Sequence, residues 1–309
     1  MYRFIHVAGM LAAVFLAACS SDGSQSDTQP AAAAPQFQEL LAYDWSIAPG
    51  EETYYCIFHT VTEDTWLNEY RPLAPLGTHH VTVGYVDTPR ADGVVLYGQE
   101  IQPGMLCNGV SLGDRLAFGG LVGTGGYKFP DGVAVKLSAG QQLLLSVHVA
   151  NPSAQSQSGR SGIEVVAADP ADVTDLAEMI FVNNVSINVT PGASTQTGTC
   201  TLEADSTLLT LIHHMHETGV HMKTRALSAG ADPVVLLDAD YDFNEQSIVP
   251  IEPRLALAAG DKLEVTCDYQ NPGTNTLTFG ESTYDSEMCI SALYRYPASA
   301  ASFNCVAVP

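Results

Sequence analysis

Residues 211–222 (LIHHMHETGVHM) hold four of the chain's nine histidines. Residues 207–210 (TLLT) lead into them as the start of an apolar strand. Side chains alternate faces along a strand, so the imidazoles of His214 and His216 project to one side, and His213 and Met215 to the other. Two imidazoles one pleat apart can share a metal ion. Two other places concentrate histidine: the adjacent pair His79 and His80, and His148 inside the apolar run 143–150 (LLLSVHVA). Imidazole-only sites suit copper, zinc or iron. A lone His148 would read as a satisfied core histidine, but beside a His-His pair and an HxH it reads as a third donor. Met288, in 285–290 (DSEMCI), adds a soft thioether that with two imidazoles favours Cu(I) over zinc, although the default for any single methionine is a core gap-filler. His59 stands apart. His213 and His221 are open between hydrogen bonding behind a ligand and exposed strand positions. Clustered solvent-facing histidines without metal are the alternative to the whole set.

Such donors need stiff elements to hold them. From Phe37 onward, β-type runs alternate with Gly, Pro, Asn and Asp: 53–61, 79–86, 133–137, 143–150 and 163–167, then 179–190, 208–216, 221–227, 234–237, 262–269 and 289–296. No long amphipathic helix interrupts them. Many strands with turn signals between them predict an all-β protein of two tandem antiparallel β-sandwich (jelly-roll-like) domains. The acidic, polar stretch 166–175 (VAADPADVTD) is the expected boundary, dividing a sandwich over 37–170 from one over 171–309.

A chain of 309 residues suits two domains, and 46% hydrophobic residues suffice for their cores. Twelve Lys+Arg against 34 Asp+Glu, a net charge of −22, argues against nucleic acid and anionic lipid surfaces as partners and fits a soluble extracytoplasmic protein. Residues 1–19 read as a lipoprotein signal peptide. Arg3 gives a basic end, 7–18 is an apolar run too short to span a bilayer well, and Leu16-Ala17-Ala18-Cys19 resembles a bacterial lipobox with Cys19 as the lipidated residue. Residues 20–36, rich in Ser, Asp, Gln, Ala and Pro, read as a flexible tether. The expected location is the bacterial cell envelope: lipid-anchored and extracytoplasmic, in the periplasm or at the outer membrane. Setting Cys19 aside leaves Cys56, Cys107, Cys200, Cys267, Cys289 and Cys305, an even number that suggests three disulfides in an exported protein. None lies in a CxxC pair, which argues against structural zinc and thioredoxin-type chemistry. Spacing leaves the pairing open.

Taken in order, these motifs resemble those of the copper type II, ascorbate-dependent monooxygenases, the group that contains peptidylglycine α-hydroxylating monooxygenase and dopamine β-monooxygenase. Thr78-His79-His80 before a strand is similar to the family's paired-histidine motif. Residues 144–152 (LLSVHVANP) are similar to the segment carrying its third N-domain histidine. His214-Met215-His216 with Gly219 is similar to its C-domain HxH segment, and Glu287-Met288-Cys289 to its methionine segment. The resemblance runs over roughly 53–296. It implies two copper ions per chain, on two β-sandwiches facing each other across a solvent cleft. By the same resemblance, His79, His80 and His148 would hold an electron-transfer copper. His214, His216 and Met288 would hold the catalytic copper, where dioxygen binds and a C–H bond is hydroxylated. Electrons would come from ascorbate or an equivalent one-electron donor. The resemblance also implies the pairs Cys56–Cys107, Cys267–Cys289 and Cys200–Cys305.

The departures bear on the substrate. Peptide-amidating members carry a carboxylate-binding arginine two residues before the HxH, where this chain has Ile212. They carry an asparagine and a tyrosine where it has Ile290 and Ala292. The expected substrate is therefore a more apolar small organic molecule rather than peptidylglycine. The expected activity is copper-dependent hydroxylation of that molecule with O2. The alternative is a non-catalytic copper-binding or copper-handling surface lipoprotein, because a fold and a metal do not guarantee turnover. A surface adhesion sandwich with incidental histidines is the third reading.

Overall fold

Short β-branched and aromatic runs broken by turn residues favour strands over helices. The computed structural model describes residues 36–102, 105–107, 115–120, 124–280, 282, 285–299 and 304–308, and it is all-β. Among the described residues the only helical turn is a short 3-10 segment, Pro170–Asp172, capped by the Asp169 carboxylate. The expected signal peptide, Cys19 and nearly all of the expected tether lie outside the described residues.

Four larger sheets carry the fold. The first runs in the order Gln38–Ile47, Gln157–Ala167, Thr65–Leu73, Val133–Leu137, Asp175–Leu176. The second runs Gly93–Leu96, Glu52–Thr60, Gln142–Ala150, Thr78–Val86, Leu116–Gly120. Trp45, Leu67, Tyr70 and Ile163 from the first share one apolar core with Val81, Val83, Phe118 and Leu143 from the second. The third sheet runs Val249–Leu257, Ser206–His214, Ile290–Tyr296, Glu178–Asn184, Asn304–Ala307, and the fourth Gly192–Thr201, Lys262–Asn271, Gly219–Leu227, Val234–Asp240. Ile180, Leu211 and Leu293 of the third pack with Met222, Leu263 and Tyr269 of the fourth in a second core. Among the described strands, pairing is antiparallel except where Asp175–Leu176 lies along Val133–Ala134 and where Asn304–Ala307 lies along Phe181–Asn184. The disulfides are Cys56–Cys107, Cys200–Cys305 and Cys267–Cys289, the pairs that the family resemblance implies.

Some strands differ from the sequence reading, for identifiable reasons. The run 179–190 breaks after Asn184, whose side-chain carbonyl accepts the Ser186 N–H at 3.1 Å and turns the chain. Gln38–Ile47, Thr65–Leu73, Gly192–Thr201 and Val249–Leu257 are strands that the apolar pattern does not announce. Gly192–Thr201 (GASTQTGTCT) is polar because it forms an edge of the fourth sheet. Val249–Leu257 holds two prolines, which an edge position of the third sheet tolerates.

Candidate metal centres

Adjacent residues on a regular strand point to opposite faces, so His79 and His80 should not converge. A bulge brings them together. His148 pairs with His80, yet the next residue, Val149, pairs with Thr78, which leaves His79 as the extra residue. The three rings then meet. Centroids lie 5.3 Å apart for His79 and His80, 4.7 Å for His79 and His148, and 4.8 Å for His80 and His148. The Nδ1 atoms of His79 and His80 are 3.1 Å apart, and those of His80 and His148 are 3.4 Å apart. Among the described residues this is the group of three histidine or acidic side chains whose ligand atoms all fall within 4.8 Å of one another.

His148 is held from behind. Its Nε2–H donates to Glu52 Oε1 at 2.6 Å, and Tyr54 stacks on its ring at 4.0 Å and 7°. Tyr54 is the cross-strand neighbour of His148, and Glu52 lies two residues earlier on the same strand, hence on the same face. A proton fixed on Nε2 leaves the Nδ1 lone pair aimed at the other two imidazoles. The hydrogen bond from His148 holds the Glu52 carboxyl below its ordinary value. Burial pushes His79 down to about 4, with neighbouring imidazoles pushing the same way, and pushes His80 well down. These rings stay neutral at pH 7, the form that binds a metal.

The second cluster sits at the end of Ser206–His214. The rings of His214 and His216 are 5.6 Å apart, nearly edge to face. Here the outer nitrogens are Nδ1. His214 Nδ1–H donates to Gln246 Oε1 at 2.8 Å. His216 Nδ1 is 3.0 Å from the Ser286 carbonyl oxygen, which can only accept, so the proton sits on Nδ1. Both Nε2 lone pairs are thereby free to bind a metal. Burial pushes His214 down to about 4 and lowers His216.

Glu287 organises this end of the sheet. It is fully buried. One carboxylate oxygen accepts the backbone N–H of His216 at 2.9 Å and of Met288 at 3.2 Å. The other accepts the N–H and hydroxyl of Thr218 at 2.9 and 2.7 Å. Burial raises its pKa against the pull of these donors. Met288 is therefore tied to His216 through one carboxylate oxygen. Its carbonyl accepts the Tyr269 hydroxyl at 2.9 Å, and its neighbour Cys289 is bridged to Cys267. Gly219, just past the HxH, is needed sterically: a Cβ there would lie 2.8 Å from the Cβ of Met215.

His213 and His221 fall outside both clusters. His213 Nε2 is 3.0 Å from the Thr224 hydroxyl in the second core. His221 pairs with Asp238 at 3.0 Å and Asp268 at 3.4 Å. Sequence reasoning missed Glu52, Gln246 and the role of Glu287, because each reaches its histidine through non-local pairing that leaves no local spacing to read.

The donor types and the free nitrogens fit copper at both clusters. Residues 172–308 match the family model described as copper type II ascorbate-dependent monooxygenase, C-terminal domain. Human putative DBH-like monooxygenase protein 2 is 27% identical over 218 residues, covering 64% of this chain and 43% of that protein. DBH-like monooxygenase protein 1 of Gallus gallus is 23% identical over 84% of this chain and 47% of its own length, and the human form is 24% identical over 86% and 48%. The chain thus spans about half the length of the curated relatives it matches. Among solved structures, that of the infectious bursal disease virus Gx strain overlays with 8% identity and a TM-score of 0.21, covering 87% of this chain and 75% of that one, and carries no argument. Residues 172–308 thus resemble the C-terminal domain of the copper type II ascorbate-dependent monooxygenase family, and the relatives named DBH-like monooxygenase extend that similarity over more of the chain.

Proposed function

We propose that the protein is a lipid-anchored, extracytoplasmic copper monooxygenase that hydroxylates a C–H bond of a small apolar molecule with O2 and a one-electron reductant such as ascorbate. The observation that carries this reading is the opposed use of ring nitrogens. Glu52 holds His148 with Nδ1 free, whereas Gln246 and Ser286 hold His214 and His216 with Nε2 free. In each case the chain fixes the tautomer before any metal arrives. Copper bound at these clusters supplies one-electron redox chemistry and the activation of dioxygen. The residues supply position: His79, His80 and His148 as one donor set, His214, His216 and Met288 as the other.

The apolar substrate rests on the surface beside His214. Ile212 is on the same face of its strand, and across the sheet His214 pairs with Ile290 and Ile212 with Ala292. All three are buried apolar residues, Ile212 and Ala292 within the first core, so none of them offers a cation to a carboxylate. The test is copper per chain on the full-length protein after Cu(II) loading and desalting, followed by ascorbate-dependent O2 uptake with a panel of apolar substrates. Two coppers are expected, with His148→Ala emptying one site and Met288→Ala weakening the other. Two coppers with no reductant-driven O2 uptake on any substrate would favour a copper-handling role instead.

A further inference from the structure

Both histidine clusters touch one turn, residues 242–246. The Phe243 ring lies 5.0 Å from the His79 ring. Three residues on, Gln246 is 3% exposed and its side-chain amide is used at both ends. Its carbonyl accepts the His214 Nδ1–H at 2.8 Å, and its N–H donates to the Phe243 backbone oxygen at 2.8 Å. The backbone oxygen of Gln246 accepts the Thr124 hydroxyl at 2.7 Å, an anchor from the N-terminal half of the chain. The turn is closed internally: Asn244 N–H donates to Asp242 Oδ1 at 2.8 Å, and Glu245 N–H to the Asp242 backbone oxygen at 3.0 Å. From His79 to His214 there is thus an unbroken sequence of ring contact, backbone carbonyl, side-chain amide and imidazole.

We propose that the 242–246 turn is a positioning element that couples the two histidine clusters, so that a metal ion in one changes the affinity of the other. This rests on reading both clusters as metal centres. The physical route is short. An ion among His79, His80 and His148 fixes the His79 ring, against which Phe243 packs. The Phe243 carbonyl sets the plane of the Gln246 amide. That amide decides whether His214 presents Nε2 as a lone pair and in which direction. Linkage makes the effect reciprocal: an ion on His214 and His216 favours the same arrangement of the turn and hence of His79. Coupling between two sites typically amounts to a factor of about 5–150 in affinity.

The test uses the full chain, stripped of metal and titrated with Cu(II) against a competing chelator, with the Cu(II) electron paramagnetic resonance spectrum identifying each site. The second-site affinity of the parent is expected to fall roughly tenfold when His148→Ala empties the first cluster, within the coupling range above. Phe243→Ala keeps both ions, but its second-site affinity becomes indifferent to His148→Ala. Gln246→Leu lowers second-site affinity roughly 10–100-fold and alters the spectrum of that site alone. Gln246→Glu still accepts from Nδ1–H but, as a carboxylate, cannot donate to the Phe243 carbonyl, so it keeps the spectrum of the second site while its affinity no longer responds to His148→Ala. An unchanged circular dichroism spectrum and melting temperature show that the variants fold. Two ions that bind independently in the parent, or coupling that survives Phe243→Ala, overturn the proposal while leaving the copper reading intact. A parent that takes up no ion at either cluster removes both.

Discussion

Glu52 gives the sharpest test of how the first cluster is held. Its carboxylate accepts the Nε2–H of His148 at 2.6 Å, and His148 itself is 1% exposed. In Glu52→Ala the neutral imidazole is free to move its proton to Nδ1, the nitrogen that faces His79 and His80. Metal binding must then return the proton to Nε2 without its acceptor. Leaving a buried donor unpaired costs about 1–3 kcal/mol, and losing a partner behind a ligating histidine typically costs about 10–100-fold in metal affinity. Glu52 is 43% exposed, so water can replace it in part, and the lower end applies. The expected loss is roughly tenfold, about 1.4 kcal/mol. Glu52→Gln keeps an acceptor without the charge and should lose less. The assay is competitive Cu(II) titration, with the electron paramagnetic resonance spectrum telling the first site from the His214/His216 cluster. A Glu52→Ala protein whose first-site affinity equals the parent's, with His148 still bound, would refute the tautomer argument.

Further outcomes follow from other buried polar groups. Glu287→Ala removes four hydrogen bonds to a buried carboxylate and should cost about 2–4 kcal/mol together with the metal affinity of the second cluster, read by urea denaturation and copper content. Arg295 is 1% exposed and donates to Glu178 at 2.7 Å, so Glu178→Ala should destabilise by about 3–5 kcal/mol by leaving a buried charge unpaired, whereas replacing both partners with apolar residues should cost far less, read as melting temperatures. The metal-free protein should lose stability on acidification. Burial holds His79 and His214 near 4 and His213 near 3, below the unfolded value of roughly 6.5. Between those values the unfolded chain binds more protons, so this stability is present above about pH 6.5 and is lost as pH falls toward 4, at up to ~1.4 kcal/mol per pH unit for each group. Urea midpoints at pH 7, 6 and 5 that do not shift would contradict it.

The all-β class and most core strands are legible from short runs of Val, Ile, Leu and Tyr between turn residues. Edge strands are less so, because one side of an edge faces water: Gly192–Thr201 carries almost no apolar signal, and Val249–Leu257 carries prolines that argue against a strand unless its edge position is known. His214 and His216 converge as alternation predicts, although the strand itself ends at His214. For His79 and His80 the alternation rule alone gives the opposite of what occurs. Only the bulge against His148 and Val149 puts both on one face, and bulges arise from pairing with a distant strand that local spacing does not encode. Glu52 and Gln246 are invisible for the same reason: each lies far along the chain from the histidine it holds.

The apolar run that enters the second cluster has a structural cause that also orients the site. Ser206–His214 is buried along nearly its whole length, which is why its sequence shows continuous hydrophobicity rather than alternation. Its two faces serve different cores. Leu208 and Leu211 pack into the second core, with Met215 just beyond the strand, while Leu209 and Ile212 join the first. Its neighbour Ile290–Tyr296 divides likewise, with Leu293 in the second core and Ala292 and Tyr294 in the first, where the Tyr294 hydroxyl donates to the Ala117 backbone oxygen at 2.8 Å. The third sheet is therefore a shared layer between both cores. Alternation then decides where each histidine goes. His213 shares a face with Leu211 and turns into the second core, onto Thr224. His214 shares a face with Ile212 and turns toward the first core, the side from which Thr124 anchors the turn that carries Gln246 and Phe243 to His79. A one-residue slip of this strand would exchange the two imidazoles, turning His214 into the second core and His213 toward the first cluster. Burial on both faces makes such a slip costly throughout the strand, so the same apolar packing that joins the two halves also fixes which histidine faces the other cluster.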